Sequence, residues 1–170
     1  MARDATRRRV LAAAAAALPL VAAGCKGISV LGSPPKAAPG VTVATEAIAV
    51  ETQLIAHYGA VLRTVPGLAG TLRPLLAQHH EHLARLRARL IVPPGGQPLP
   101  RPRATPLLTA PVPGTSAAAL GYLRHAENAA SAALLAHLAA APPSLAELLA
   151  SISASEATHA LVLTTPATHR

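Results

Sequence analysis

Apolar residues recur at helical spacing in four stretches of this chain. The last stretch, residues 144–163, has one helix face formed by Leu145, Leu149, Ile152 and Leu163. Between Ile152 and Leu163 the same face carries Glu156 and His159. Burying a carboxylate and an imidazole is costly unless each finds a partner or a metal. This Glu-x-x-His pair is therefore the first candidate for chemistry.

The first stretch predicts a helix over residues 41–65, with one face formed by Ala44, Ile48, Ile55, Leu62 and Val65. Glu51 and Tyr58 share that face, whereas Glu46 lies off it and is expected in solvent. Pro66-Gly67 ends the helix, because Pro cannot continue it and Gly allows a reversal. So short a connection predicts that the next helix packs antiparallel.

The second stretch predicts a helix over residues 68–92, with a face formed by Leu72, Leu76, Leu83, Leu86 and Leu90. His79 lies on this face and His82 lies at its edge. Glu81 points away from the face, so we expect it to form a surface ion pair with Arg85 at i+4.

Residues 93–114 contain too many prolines for a helix or a strand interior, and they predict an extended crossover held by Leu107 and Leu108. The third helix is expected over residues 116–141, with Glu127 interrupting an apolar face of Leu120, Leu123, Ala130, Leu134 and Leu138. Pro142-Pro143 ends it, and Ser144 with Glu147 predicts a capping box for the fourth helix, residues 144–163. The fold class is therefore all-α, an antiparallel four-helix bundle with one long Pro-rich crossover between helices 2 and 3.

Composition agrees with an all-α fold, since the chain is rich in Ala and Leu and has no Trp, no Phe and two Tyr. A net charge of +8 is common among proteins that bind nucleic acid. However, no predicted helix combines a basic face with aromatic stacking residues, so we expect a solvated basic surface and no nucleic acid.

The N-terminus has the features of a targeting segment, residues 1–25, followed by a Pro- and Gly-rich tether over residues 26–40. Arg7 and Arg8 begin a pattern that resembles a twin-arginine export signal, and an apolar run follows from Val10 to Ala23. The run ends at Cys25, the one cysteine of the chain, in a sequence that resembles a bacterial lipobox. The prediction is export by the twin-arginine route, with Cys25 lipidated at the outer face of the cytoplasmic membrane. The alternative is cleavage and secretion.

Six polar residues lie at matching distances along their helices from the two Pro turns. Glu51 lies 15 residues before Pro66, and His79 and His82 lie 13 and 16 residues after it. In the second hairpin, which turns at Pro142-Pro143, the residues at the same offsets are Glu127, Glu156 and His159. With a rise of 1.5 Å per residue, all six lie roughly 20–24 Å from their turns. Packed together, the hairpins would bring six candidate metal ligands to one level of the domain, residues 41–165.

These residues resemble the ferritin-like superfamily over about residues 41–163, and most closely its small exported bacterial members. Glu51, Tyr58, His82, Glu127, Glu156 and His159 match positions of that family. The resemblance implies a transition-metal site in the bundle, with Fe or Mn favoured. His79 departs from the family pattern, because it stands where the family has a Glu that commonly bridges two metals. That change weakens the expectation of a second metal and of oxygen activation.

Three interpretations remain open for the cluster: a metal site, a metal-free hydrogen-bonded core, or an error of helical phase. Imidazole and carboxylate ligands suit Fe, Mn, Zn or Cu. The first functional hypothesis is metal handling or a modest redox reaction, which would make the protein a metal-dependent oxidoreductase if it is an enzyme. The second is a metal-free scaffold that binds a protein partner at the cell surface. His57, His80 and His125 are expected to be exposed, and His137 to be structural.

Overall fold

The computed structural model of this protein describes residues 39–90, 99–103 and 105–164. The targeting segment, including Arg7, Arg8 and Cys25, and nearly all of the tether lie outside these residues. Within the described part the chain is all-helical, without strands, and is compatible with a four-helix bundle. None of the helices in these residues is both long enough and apolar enough to span a membrane.

The four α-helices are α1 (Pro39–Thr64), α2 (Ala69–Arg89), α3 (Ser116–Ala136) and α4 (Pro143–Val162). Short 3₁₀ turns, Pro66–Leu68 and Leu138–Ala140, connect α1 to α2 and α3 to α4. Helix α1 packs against α2 and α3, while α4 packs against α3 and also contacts α2. The start of α1 lies beside the end of α2 and the start of α4, since Pro39, Ala88 and Leu145 line one pocket there.

The ends of two helices differ from expectation. Helix α3 ends at Ala136, five residues earlier than expected, because the chain tightens into the 3₁₀ turn. The predicted capping box of Ser144 and Glu147 is wrong. Helix α4 begins at Pro143 with Pro142 as its N-cap, and no side chain caps it. A proline at the first helical position has no N–H to satisfy, which reduces the need for a cap.

The buried face of α1 also differs from the predicted one. Ile48, Ile55 and Leu62 are half-buried, whereas the fully buried apolar residues are Ala44, Ala47, Leu54, Tyr58 and Val61. The buried face of α1 is therefore rotated about the helix axis by about one residue relative to the predicted face, so that it includes Leu54 instead of Ile55.

The crossover is held against the bundle as expected, with Leu107 and Leu108 packed on the core. The backbone N–H of Leu107 donates to Gln53 Oε1 at 2.9 Å. The expectation that Glu46 is solvated is wrong. Its side chain is buried beneath the crossover, where Oε1 accepts a hydrogen bond from the backbone N–H of Arg103.

Candidate metal centre

The six polar residues predicted from the two hairpins lie together in the described structure. Each is buried, with exposed fractions from 0% to 8%. They form a layer between two apolar clusters, one containing Leu86 and Leu149 and the other containing Leu72 and Leu123. Since all six are buried, an error of helical phase is excluded for them. Their role as ligands stays a prediction.

All four helices supply side chains to this polar layer. Helices α1 and α3 each contribute one Glu, while α2 and α4 each contribute two residues at i, i+3, which lie on one helix face. The ligand atoms form two groups in which all lie within 4.8 Å of one another. One group is Glu51, His79, His82 and Glu156, and the other is His79, Glu127, Glu156 and His159. His79 and Glu156 belong to both groups.

His79 lies at the centre of the layer, between Glu51 and Glu127. Its Nδ1 is 3.2 Å from Glu51 Oε2, and its Nε2 is 3.0 Å from Glu127 Oε1. A neutral imidazole has one N–H, so bonds to two ionised carboxylates require protons on both nitrogens. Burial alone would lower the pKa of His79, but the hydrogen bonds with Glu127 and Glu51 outweigh it and raise the pKa to about 10.

His82 lies between Glu51 and Glu156. Its Nδ1 is 3.1 Å from Glu156 Oε1 and 3.4 Å from Glu51 Oε1. Burial would lower the pKa of His82, yet the hydrogen bond with Glu156 and the nearby Glu51 carboxylate raise it to about 9. Burial would conversely raise the pKa of Glu51 and Glu156, but hydrogen bonds from the neighbouring histidines hold both below their ordinary value. Without metal, these charges stabilise one another.

His159 has a different environment from the other two histidines. Its Nδ1 lies 3.1 Å from Glu156 Oε2 and 3.7 Å from Glu127 Oε1, but forms no hydrogen bond with any residue that the structure describes. On the other side of the ring, Nε2 is 3.0 Å from Gln78 Oε1. Burial would lower the pKa of His159, but the nearby Glu127 and Glu156 carboxylates favour the protonated ring, outweigh burial and raise the pKa.

Tyr58 joins the layer from α1. It is fully buried, and its hydroxyl donates a hydrogen bond to Glu127 Oε1. The ring also lies against His79, with 4.8 Å between the ring centroids. Burial and the charge of Glu127 raise the pKa of Tyr58 far above its ordinary value, so the phenol remains a neutral donor. Tyr58 therefore both packs in the layer and hydrogen-bonds to it.

Four buried atoms of the layer have no hydrogen-bond partner among the described residues: Glu51 Oε1, Glu127 Oε2, Glu156 Oε2 and His159 Nδ1. Leaving such atoms unsatisfied is costly, and buried polar groups are nearly always paired. Carboxylate oxygens and an imidazole nitrogen are the donors that first-row transition metals bind. The layer can therefore hold a metal ion.

The other histidines are only partly as predicted. His80 and His125 are exposed, as expected, and His137 is half-buried. The expectation for His57 is wrong, because it is half-buried and its Nδ1 is hydrogen-bonded to the Tyr122 hydroxyl at 2.7 Å. The sequence reasoning also missed Gln78 as a neighbour of the layer. The one sequence feature that pointed to Gln78 was its position next to His79, and this feature does not reveal the contact of Gln78 with α4.

Comparisons of this chain with protein-family models, with curated proteins and with solved structures gave no match.

Proposed function

We propose that this protein binds one or two transition-metal ions in its buried polar layer, and that it serves in metal handling or in a modest redox reaction such as metal oxidation. The observation that carries the proposal is the convergence of six buried Glu and His side chains, four of which each have a polar atom without a hydrogen-bond partner in the described part of the chain. Bulk apolar packing does not require such residues, and burying them is costly.

The proposed ligands are Glu51, His82, Glu127, Glu156 and His159, with His79 as a sixth. Glu156 and His79 are central, because both belong to each of the two ligand groups. A bound transition metal supplies Lewis acidity and, for Fe, Mn or Cu, a change of oxidation state. The protein residues hold the ion, exclude bulk water and, through Tyr58, fix the orientation of the Glu127 carboxylate.

We further propose that the four helices form an antiparallel bundle of the ferritin-like kind. Support comes from the ligand pattern, with one Glu on each of two helices and an i, i+3 pair on each of the other two. His79 departs from that pattern, and its two nitrogens contact Glu51 and Glu127. Fe or Mn is the metal favoured by this assignment, while Zn and Cu also suit the donors.

The proposed location is the cell envelope, reached by the twin-arginine route. The support is sequence alone: Arg7 and Arg8, the apolar run after them, and Cys25 at a small-residue site. Lipidation of Cys25 would tether the domain to the outer face of the cytoplasmic membrane. Globomycin-sensitive processing and labelling with a palmitate analogue, both lost in Cys25→Ser, would test this tether.

Metal analysis of the protein purified without added metal tests the proposal. Near-stoichiometric Fe, Mn, Zn or Cu in the wild type, lost in Glu156→Ala, would support it. Glu147→Ala is the matched control, because Glu147 lies on the same helix but is exposed. Retention of metal by Glu156→Ala, or its absence from all three proteins even after incubation with each ion, would refute the proposal.

One observation favours the second candidate function, a metal-free scaffold that binds a protein partner. The raised pKa values of His79, His82 and His159 mean that three imidazolium groups can balance the carboxylates without any metal. On that reading the Ala-rich outer faces or the crossover would contact the partner. On this reading Glu156→Leu destabilises the metal-free fold, because it leaves the imidazolium groups of His82 and His159 without the carboxylate that faces both.

A further inference from the structure

Gln78 is an exposed residue of α2 that contacts the buried layer from outside. Its Oε1 lies 3.0 Å from Nε2 of His159, on the neighbouring helix α4. Ser155, one turn before His159, places its Oγ 3.4 Å from the same nitrogen. An amide oxygen can only accept, so Nε2 carries the proton in this contact.

The three histidines of the layer use their ring nitrogens differently. Both nitrogens of His79 are hydrogen-bonded to carboxylates, and Nδ1 of His82 is bonded to Glu156. In His159 the outward nitrogen is held by Gln78, while the inward Nδ1 is buried and has no hydrogen-bond partner among the described residues. His159 is thus the histidine whose inward nitrogen is committed to no protein group.

We propose that Gln78 is a positioning residue for the metal centre. By accepting the Nε2–H bond, Gln78 keeps that proton in place, so Nδ1 is the nitrogen that coordinates the ion. The same bond fixes the rotation of the ring, which holds Nδ1 toward Glu156 and Glu127. The inference rests on the proposed metal-binding function. Loss of such an outer partner of a metal-binding histidine typically costs 10- to 100-fold in metal affinity.

Zinc affinity of the full chain, measured by competition with a chromogenic chelator, tests this role. Gln78→Met keeps the side-chain length and helix propensity but removes the acceptor. Ser155→Ala is combined with it, so that the serine hydroxyl cannot replace the amide. We expect zinc to bind this double variant about 10- to 100-fold more weakly. The Gln78→Glu variant has a hydrogen-bond acceptor at this position, so its zinc affinity should be within a few-fold of the wild-type affinity.

Gln53→Met is the matched control, since it removes another Gln acceptor, the one that holds the crossover through Leu107. It should leave zinc affinity unchanged. Thermal unfolding of the metal-free proteins should be similar for the wild type and Gln78→Met, because Gln78 is exposed. Wild-type zinc affinity in the double variant, or failure of Gln78→Glu to restore affinity, would overturn the positioning role.

A second measurement separates this inference from the proposed function. In ¹⁵N NMR spectra of the metal-free chain, the Nε2–H proton of His159 should exchange slowly with water, and it should exchange rapidly in the double variant. If the wild type bound none of Fe, Mn, Zn and Cu, the proposed function would fail, and this resonance would still show whether Gln78 holds the proton. A resonance unaffected by removal of Gln78 and Ser155 would overturn the positioning role itself.

Discussion

Glu156 Oε2 lies 3.1 Å from Nδ1 of His159, and neither atom forms a hydrogen bond among the described residues. The other oxygen, Oε1, lies 3.1 Å from Nδ1 of His82. Since His79 Nδ1 also lies 3.6 Å from Oε2, Glu156 faces two histidines of α2 and one of α4. A change at this single carboxylate alters both halves of the polar layer.

Glu156→Gln should lower metal affinity by at least about tenfold, the scale seen even for groups that only support a ligand. The amide has the same shape but lacks the negative charge that a cation requires. Isothermal titration with Zn²⁺ and with Mn²⁺ would measure the change. Glu147→Gln, the same substitution at an exposed position of α4, should have no effect. Equal affinity in the two variants would argue against Glu156 as a ligand.

Tyr58→Phe should destabilise the metal-free protein by about 1–3 kcal/mol, because it leaves the fully buried Glu127 carboxylate without its phenol donor. Urea unfolding monitored by circular dichroism would measure the loss. Tyr122→Phe is the paired control, since its hydroxyl bonds the half-buried His57 and water can replace it there. Its cost should be about 0.5–1.5 kcal/mol. A larger effect at Tyr122 than at Tyr58 would contradict this prediction.

The stability of the metal-free protein should fall as pH rises from 6.5 toward 10. His79 and His82 have pKa values raised to about 10 and about 9 in the folded protein, against 6.5 ordinarily. A raised pKa gives stability that is full below pH 6.5 and is lost as pH rises through the folded value. On the acid side, Glu51 and Glu156 have lowered pKa values, so their contribution is lost as pH falls below 4.5.

Metal binding should have the opposite pH dependence, because a metal ion displaces protons from the same imidazole nitrogens. The increase in Tm caused by zinc should therefore grow between pH 6.5 and 9. Thermal unfolding with and without zinc, at half-unit steps of pH, would show the two trends. A zinc-induced increase that shrinks over this range would mean that these histidines are not ligands.

The common position of the six polar residues along the helix axes could be predicted from the sequence, because the rise per residue of an α-helix is fixed and Pro marks both turns. Glu51 and Glu127 could thus be placed at one depth by counting. The contacts of Gln78 and Tyr58 could not be predicted, since they depend on the rotation of each helix and on rotamers that only the neighbouring helix decides.

The face of α1 was harder to predict than the faces of the other helices. Its sequence is apolar on several sides, so both Leu54 and Ile55 fit an amphipathic pattern. The packing of α2 and α3 against α1 selects between these phases, and periodicity does not contain that information. For the same reason Glu46, covered by the crossover, could not be recognised as buried.

Substitutions in α1 should reflect the observed face. Leu54→Ala should cost about 2–5 kcal/mol, because Leu54 is fully buried and its removal leaves a cavity. Ile55→Ala should cost clearly less, since Ile55 is half-buried and the site can collapse or hydrate. Urea midpoints of the two variants would compare them directly. A larger stability loss for Ile55→Ala than for Leu54→Ala would mean that α1 buries the face predicted from the sequence.

Glu46→Ala should release the first part of the crossover. Glu46 is buried, and its Oε1 accepts the backbone N–H of Arg103 at 2.6 Å. Removing a hydrogen bond to a carboxyl group lowers local stability by about 1–3 kcal/mol, and exposed loops that open are the preferred sites of proteolysis. Trypsin should therefore cleave the variant several-fold faster after the exposed residue Arg103.

Limited digestion with mass spectrometry of the fragments would measure cleavage after Arg103, and cleavage after Arg63 provides an internal reference. Glu147→Ala, at an exposed site on α4, should leave the cleavage pattern unchanged. Because Leu107 remains bonded to Gln53, the second part of the crossover should stay in place in Glu46→Ala. Combining it with Gln53→Ala should then increase cleavage further. If Glu46→Ala were cleaved no faster than the wild type, the bond to Arg103 would not be what holds this segment.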